Sequence, residues 1–172
     1  LRYCRAAAES PGAAALLRGL NPALQVDIVD YGVNPAFFDA KWNPAEQPEV
    51  VFLGSISKRK GITDLIEIAK RPDLAQVKFK ILGEGELRDK LAAHSPPNVE
   101  WLGKCARPEV IAHLEAAWAL VIPTYADTGP TVVKEARVVG LPIVTTTGAG
   151  ACSYVIEGDC GHVTAPGDLD AL

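Results

Sequence analysis

The chain alternates short runs of apolar residues with segments in which apolar residues recur at helical spacing. From residue 49 onward, five runs rich in Val, Ile and Leu are separated by stretches in which apolar residues return every three or four positions. Such alternation is typical of βαβ units, in which helices join parallel strands. We therefore predict an α/β domain with a parallel sheet flanked by helices. The predicted strands are 50–54, 78–83, 99–103, 119–124 and 142–146, and the predicted helices are 62–70, 86–93, 107–117 and 130–139.

Residues 1–48 do not follow this alternation. They begin with an Ala-rich stretch and continue with one plausible strand and three prolines. We interpret residues 1–48 as an inter-domain lead-in and edge segment, and residues 49–172 as the compact domain. Within that domain, Pro108 and Pro130 suit a first helical turn, and Gly140 suits a helix end.

The composition is that of an ordinary globular domain. Of the 172 residues, 48% are hydrophobic and 22% are charged, so the chain is long enough and apolar enough to bury a core. Seventeen Lys and Arg against 21 Asp and Glu give a net charge of -4, which argues against nucleic acid as a partner. No apolar run reaches the roughly 20 residues that span a bilayer, so we expect a soluble domain.

The cysteines give no indication of a metal site. Cys4, Cys105, Cys152 and Cys160 show no CxxC spacing and have no histidine at metal-ligand spacing, which favours reduced thiols. The chain contains no Met, even at position 1, and its last residues resemble the start of a helix. We therefore expect it to be a fragment.

The loops that follow the predicted strands are the candidate sites, because ligands bind beyond the carboxyl ends of parallel strands. In the first loop, GSISKRKG at 54–61, Lys58, Arg59 and Lys60 precede a helix start among small residues. A helix N-terminus attracts anions, which makes this loop a candidate phosphate site. The loop lacks the GK[ST] ending of a Walker A motif, so it does not indicate nucleoside-triphosphate hydrolysis. A solvated basic turn explains the loop equally well.

Two further loops are less informative. Loop 82–90 has two glycines of the dinucleotide fingerprint but lacks the third, so a tight strand-to-helix turn is the favoured interpretation. Loop 103–109 indicates no chemistry by itself. The three histidines are scattered singly and the chain has no GxSxG elbow, so a hydrolase is not favoured.

The fourth loop carries two acids eight positions apart, Asp127 before a predicted helix and Glu135 inside it. The two carboxylate oxygens of Glu135 suit the two hydroxyls of a ribose. The amides of 128–132 suit a diphosphate or a sugar oxygen, although Pro130 has no N–H to donate. An ordinary helix with a solvated glutamate is the alternative.

Taken in order, six segments resemble the C-terminal domain of group 1 (family 4) retaining glycosyltransferases. They are YGVNPAFF, VVFLGSISKRKGITDLIE, FKILGEGELRDKL, NVEWLGKCARPEVIAHLEAA, VIPTYADTGPTVVKEARVVGLPIVTT and VIEGDCGHVTAPGDLDAL, and they span about residues 29–172. The resemblance implies the GT-B architecture, in which two Rossmann-like domains face each other across a cleft. The C-terminal domain holds a nucleotide-sugar donor, and the N-terminal acceptor domain would be absent from this chain.

The resemblance also assigns roles to the basic loop. Lys60 matches the lysine that pairs with the donor diphosphate. Ser55 stands where the family usually has an arginine, so we expect one cation fewer in the phosphate clamp. We consider Lys58 or Arg59 as its replacement.

Asp127 and Glu135 match the family's two glutamates, of which the first contacts the donor sugar and the second binds ribose. Because Asp127 is one methylene shorter than glutamate, its reach falls by roughly 1.5 Å, which puts the choice of sugar in question. The implied catalytic residues are Asp127, Glu135 and Lys60. The implied donor-binding residues are Gly54, Ser55, Lys60, Gly83, Cys105, Thr128, Gly129, Thr131, Val132 and Glu135.

The resemblance implies transfer of a hexose-like sugar with retention, without a metal or another cofactor, to a glycan, lipid or small-molecule acceptor. The chain by itself is expected to bind nucleotide weakly and to transfer nothing. We expect a cytoplasmic location, and membrane association only through the missing domain. Two alternatives stay open, a nucleotide-sugar epimerase of the same architecture and a non-catalytic module that kept the fold.

Overall fold

The computed structural model describes residues 5–148, 150–155 and 158–172. Within these ranges, six parallel strands form the main sheet and two further parallel strands form a small one. The strands are β1 (Arg5–Ala8), β2 (Gln25–Ile28), β3 (Glu49–Leu53), β4 (Lys78–Leu82), β5 (Val99–Gly103), β6 (Ala119–Ile122), β7 (Ile143–Thr146) and β8 (Gly161–Thr164). The helices are α1 (Pro11–Leu20), α2 (Ile62–Ala69), α3 (Arg88–Ala92), α4 (Arg107–Ala116) and α5 (Thr131–Val139).

The predicted α/β class is confirmed. Each strand and helix predicted after residue 49 is present, with both ends within two residues of the predicted ones. Gly140 ends α5 in the left-handed conformation, at a φ of 88°, as its position in the sequence predicts. Local periodicity and helix-end residues were therefore sufficient to predict these strands and helices.

β8 is a strand that the hydrophobic pattern missed. Its sequence is Gly-His-Val-Thr, and it pairs in parallel with β7 at the edge of the main sheet. A four-residue strand with one strongly apolar side chain, Val163, has no readable alternation. Pairing with β7, rather than local preference, makes this segment a strand.

The order of the strands opens a crevice beside β3. The order is β5-β4-β3-β6-β7-β8, so the chain moves outward from β3 to β5 and then returns to β6 on the other side of β3. Right-handed crossovers carry the chain from β3 and from β6 toward opposite faces of the sheet. The β3–α2 and β6–α5 loops therefore border a crevice at the carboxyl ends of the strands, where ligands bind in such sheets.

The segment before residue 48 has more structure than the sequence predicts. It contains two strands and a helix, where the sequence indicates one strand. β1 and β2 pair in parallel, and α1 joins them. Ser10 caps α1 by accepting a hydrogen bond from the Ala13 amide at 3.0 Å. The run of alanines concealed β1, because alanine has little strand preference. The domain boundary near residue 48 stays a prediction.

The stretch between β2 and β3 packs against the main core and hydrogen bonds to the end of α4. Phe37 is buried in the main core, and the indole Nε1 of Trp42 donates to the Ala117 carbonyl at 2.8 Å. This stretch therefore packs as part of the larger unit.

The main core lies between the main sheet and its helices. Its most deeply buried side chains include Phe52, Ile81, Leu120 and Ile143 from the strands, with Leu65 from α2 and Val133 from α5. In the part of the chain that the structure describes, no helix is both long enough and apolar enough to cross a membrane. Cys4 lies outside the described residues.

Candidate functional site

The β3–α2 loop packs directly against the beginning of the β6–α5 loop. Lys60 ends a short 3-10 turn, Lys58–Lys60, and Gly61 follows it in the left-handed conformation. A Cβ atom on Gly61 would lie 1.8 Å from the Pro123 carbonyl oxygen, so a side chain here would separate the two loops. The glycine therefore brings the basic loop to the crevice.

Arg59 holds the two loops together through hydrogen bonds. Its carbonyl accepts from the Thr124 hydroxyl and from the Tyr125 amide, each at 2.9 Å. Its guanidinium donates to the Ala126 carbonyl, also at 2.9 Å. Arg59 was considered above as a phosphate-binding cation. One N–H of its guanidinium instead stabilises the neighbouring loop.

The ammonium group of Lys60 forms an ion pair with the carboxylate of Asp127. Both side chains are largely withdrawn from solvent, at 14% and 11% exposure. The other carboxylate oxygen of Asp127 accepts from the Gly129 amide at 3.3 Å, and the Asp127 amide donates to the Gly148 carbonyl at 3.0 Å. Two of the three predicted catalytic residues therefore meet in the crevice.

The start of α5 lies at the same edge of the sheet. Thr131 and Val132 are the first two residues of this helix. The first amides of an α-helix have no i−4 partner within the helix, so they are suited to an outside acceptor. The side chain of Val132 is buried in the core, so only its main chain can face a ligand. The geometry is compatible with binding of an anion by the amides.

Glu135 is half-buried in the second turn of α5. Burial raises the pKa of its carboxyl group, and the charge of Arg107 at the start of α4 lowers it in part. A carboxylate held partly away from water differs from the solvated helical glutamate that was the alternative interpretation. Among the described residues, Arg107 is the charged neighbour that lowers this pKa.

Four predicted donor-binding residues border one cleft of about 280 Å³ at the carboxyl ends of β3, β4 and β5. They are Gly54, Ser55, Gly83 and Cys105, joined there by Leu53, Leu82, Glu84 and Lys104. Gly83 has a φ of 141°, and a Cβ atom on it would lie 1.8 Å from the Gly54 carbonyl oxygen. Burial, together with the charge of Glu109, raises the pKa of the Cys105 thiol, which therefore stays protonated at neutral pH.

A second cleft, of about 440 Å³, lies between α1 and the β6–α5 loop. Asp127 and Thr128 border it from the predicted site, while Gly12 and Leu16 border it from α1. Sequence reasoning missed the α1 residues, since nothing in an Ala-rich segment indicates a neighbour more than 100 positions away.

Glycines after β7 are a second feature that sequence reasoning missed. A Cβ atom on Gly148 would lie 2.5 Å from the Tyr125 carbonyl oxygen, and one on Gly150 would lie 2.1 Å from the Thr128 carbonyl oxygen. These two glycines allow the chain after β7 to pack closely against the backbone of the β6–α5 loop. Ala149, between them, lies outside the described residues.

A polar cluster around the buried Lys134 ties α5 to the residues that follow β2. Lys134, next to Glu135 in sequence, pairs with the carboxylate of Asp30 and donates to the Tyr31 carbonyl at 3.1 Å. The Tyr154 hydroxyl donates to the second oxygen of Asp30 at 2.5 Å. Lys134 and Tyr154 lower the pKa of Asp30, whereas burial and Asp30 raise the pKa of Tyr154 to about 12.

Known proteins resemble this chain in sequence and in fold. A family model described as glycosyl transferases group 1 matches residues 34–172. Glycogen synthase of Mycobacterium tuberculosis is 28% identical over 159 residues, which cover 86% of this chain and 38% of that protein.

Two solved structures share the fold. Sucrose-phosphate synthase of Thermosynechococcus elongatus superposes with a TM-score of 0.84 at 22% identity, over 99% of this chain and 48% of that chain. Anabaena HepE, in complex with UDP and glucose, superposes with a TM-score of 0.80 at 21% identity, over 96% of this chain and 50% of that chain. The chain thus spans about half the length of these structures, and less of the glycogen synthase.

Proposed function

The chain belongs to the glycosyl transferases group 1 family and has the Rossmann-like fold of one half of a GT-B structure, and we propose that it holds the donor site of a retaining glycosyltransferase. The reaction moves a sugar from a nucleotide-diphosphate sugar to an acceptor that is a glycan, a lipid or a small molecule. HepE, which shares the fold, is in complex with UDP and glucose, and this supports a nucleotide-sugar donor here.

The observation that carries the proposal is the meeting of Lys60 and Asp127 in the crevice beside β3. A lysine beside a helix start suits a diphosphate, and a carboxylate next to it suits the hydroxyls of the transferred sugar. The two charges lie at the boundary between the phosphate and the sugar of a bound donor. The reaction breaks the bond between this phosphate and the sugar.

The remaining predicted residues extend the site on both sides. The cleft that includes Gly83 and Cys105 receives the nucleobase, and Glu135 accepts hydrogen bonds from the two ribose hydroxyls. The amides of Thr131 and Val132 bind the diphosphate. Gly54 and Ser55 begin the loop that ends at Lys60, so they link the base side to the phosphate side.

Catalysis then consists mainly of stabilising the negative charge that grows on the departing diphosphate. Lys60 and the first amides of α5 supply this stabilisation, and we propose that no metal ion takes part. Asp127 orients the sugar while the bond to the diphosphate breaks. The acceptor hydroxyl forms the new bond on the same face of the anomeric carbon and passes its proton to the leaving diphosphate.

The proposal is tested by titrating the intact protein with UDP, GDP and ADP in a calorimeter. We expect one base to be preferred, and we expect Glu135→Ala to abolish binding of that nucleotide. Transfer is then followed by NMR of the anomeric proton, which distinguishes retention from inversion. Absence of binding to all three diphosphates contradicts the proposal, and conversion of the donor without an acceptor supports an epimerase instead.

A further inference from the structure

The segment before α1 hydrogen bonds to Thr128 in the β6–α5 loop. Glu9 and Ser10 follow β1, and both hydrogen bond to Thr128, more than 100 positions further along the chain. The Thr128 hydroxyl donates to a carboxylate oxygen of Glu9. The Ser10 hydroxyl donates to the Thr128 carbonyl. Thr128 is therefore held through both its side chain and its main chain.

The Ser10 contact is enclosed. Ser10 is completely buried, and its hydroxyl oxygen also accepts the Ala13 amide that caps α1. One hydroxyl thus fixes the start of α1 and the Thr128 carbonyl at the same time. Because a buried hydroxyl costs free energy when it lacks partners, both bonds are expected to persist.

Two glycines allow this close approach. A Cβ atom on Gly12, in the first turn of α1, would lie 2.8 Å from the Gly150 Cα atom. A Cβ atom on Gly150 would lie 2.1 Å from the Thr128 carbonyl oxygen and 2.8 Å from the Ser10 hydroxyl. Backbone therefore packs closely from α1 through Gly150 to the β6–α5 loop, and a side chain at either glycine would separate them.

We propose that Glu9 and Ser10 are positioning residues of the donor site, which hold Thr128 and its neighbours in the conformation that receives the transferred sugar. This inference rests on the proposed function. The unit formed by β1, α1 and β2 then completes the sugar side of a site whose other residues lie on the main sheet. Glu9 and Ser10 act through Thr128, and not on the reacting atoms themselves.

The effect spares the base side of the site because of where Thr128 lies. It directly follows Asp127, the residue proposed to bind the sugar, and it precedes the helix start proposed to bind the diphosphate. The cleft proposed for the base is bordered by the loops after β3, β4 and β5 and does not include Thr128. Loss of the Glu9 contact should therefore weaken binding of a nucleotide-sugar and spare binding of a nucleoside monophosphate.

The test compares Glu9→Ala with the unaltered intact protein by calorimetry. The ligands are the monophosphate and the diphosphate sugar of the base that the intact protein prefers. We expect Glu9→Ala to bind the diphosphate sugar about tenfold more weakly, because a hydrogen bond to a charged group is lost, and to bind the monophosphate equally well. Glu9→Gln keeps an acceptor oxygen and should restore most of the affinity.

Asp27→Ala is the matched control for Glu9→Ala. Asp27 is a carboxylate of the same small unit, and it pairs with Arg5 at 3.5 Å on an exposed surface. The control should bind both ligands as the unaltered protein does.

A second variant disturbs the same contact by changing the packing of α1. Gly12→Ala pushes α1 away from Gly150, so we expect the same selective loss of sugar-nucleotide affinity. Gly19→Ala is its control, since a Cβ atom on Gly19, in the same helix, meets nothing within 4 Å.

The outcomes separate the two proposals. A selective loss in Glu9→Ala and in Gly12→Ala supports the positioning role. An equal loss for both ligands, or a lower Tm with unchanged ligand selectivity, would mean that the contacts only stabilise the fold, and it overturns the inference. Failure of the unaltered protein to bind any nucleotide instead removes the proposed function, whatever the Glu9 variants do.

Discussion

The ammonium group of Lys60 lies against the carboxylate of Asp127, a residue 67 positions further along the chain. The two side chains neutralise each other in a place that is largely closed to solvent. A diphosphate that binds to Lys60 must therefore compete with Asp127. Breaking such a pair leaves one charge without its partner, which is costly unless a ligand replaces it.

Asp127→Asn tests this competition. We expect the affinity for the preferred nucleoside diphosphate to rise by about threefold or more, because the Lys60 ammonium then gains its counter-charge only from the ligand. Sugar transfer by the intact protein should fall, because the carboxylate that orients the sugar is lost. Asp39→Asn, at an exposed position, is the control. Unchanged diphosphate affinity in Asp127→Asn would contradict competition between the two anions.

Ser55→Arg tests the departure from the family pattern in the phosphate clamp. Ser55 is exposed at the border of the cleft that we assign to the base, in the loop that ends at Lys60. An added guanidinium there should tighten binding of a nucleoside diphosphate by about fivefold at low salt and less at high salt. Calorimetry at two salt concentrations measures both effects.

The control for Ser55→Arg is Ser57→Arg. In the unaltered protein the Ser57 hydroxyl lies 3.5 Å from the Ser55 hydroxyl, in the same loop. If both arginine variants tighten binding equally, the gain comes from the added positive charge in the loop. It then does not depend on a specific phosphate-binding position at residue 55.

Glu135→Gln should weaken nucleotide binding and increase the free energy of unfolding. Burial raises the pKa of Glu135 above its ordinary value of 4.5, so ionising it costs folding free energy. The cost is absent well below that value, where the group is protonated in both states, and it grows as the pH rises through the folded pKa. We expect the variant to gain unfolding free energy over the unaltered protein at about pH 8 but not at about pH 4.

The measurement is urea unfolding at the two pH values, together with nucleotide titration. Nucleotide affinity should fall, because an amide offers one acceptor oxygen to the ribose where a carboxylate offers two. Glu86→Gln, at an exposed position, controls for a general effect of removing charge. A gain in stability that does not depend on pH would show that burial of the Glu135 charge is not its source.

Asp30→Ala should destabilise the protein by about 2 kcal/mol, because it leaves Lys134 as a buried ammonium without its carboxylate. The figure lies below that for fully buried pairs, since the Asp30 side chain is 42% exposed. Lys134→Met should cost less, because it removes the buried charge itself. Denaturant unfolding of both single variants and the double variant gives the coupling energy. Additive effects would mean that the pair contributes nothing beyond its separate residues.

Much of the fold follows from local features of the sequence. Apolar runs separated by helical spacing predict β3 to β7 and α2 to α5, because strand and helix periodicity depend only on near neighbours. Pro108 and Gly140 mark a helix start and a helix end for equally local reasons. The short edge strand β8 and the Ala-rich β1 escaped prediction because strand formation there depends on a partner strand.

For the candidate site, the sequence by itself determined which residues carry suitable chemistry, since Lys60, Asp127 and Glu135 are recognisable from residue type, loop position and family pattern. Only the tertiary structure decided which of them touch. The Lys60 contact with Asp127 depends on β6 returning beside β3, and the Ser10 contact with Thr128 joins residues 118 positions apart. Such contacts are set by strand order and by the close packing that glycines permit, and neither quantity can be read from neighbouring residues.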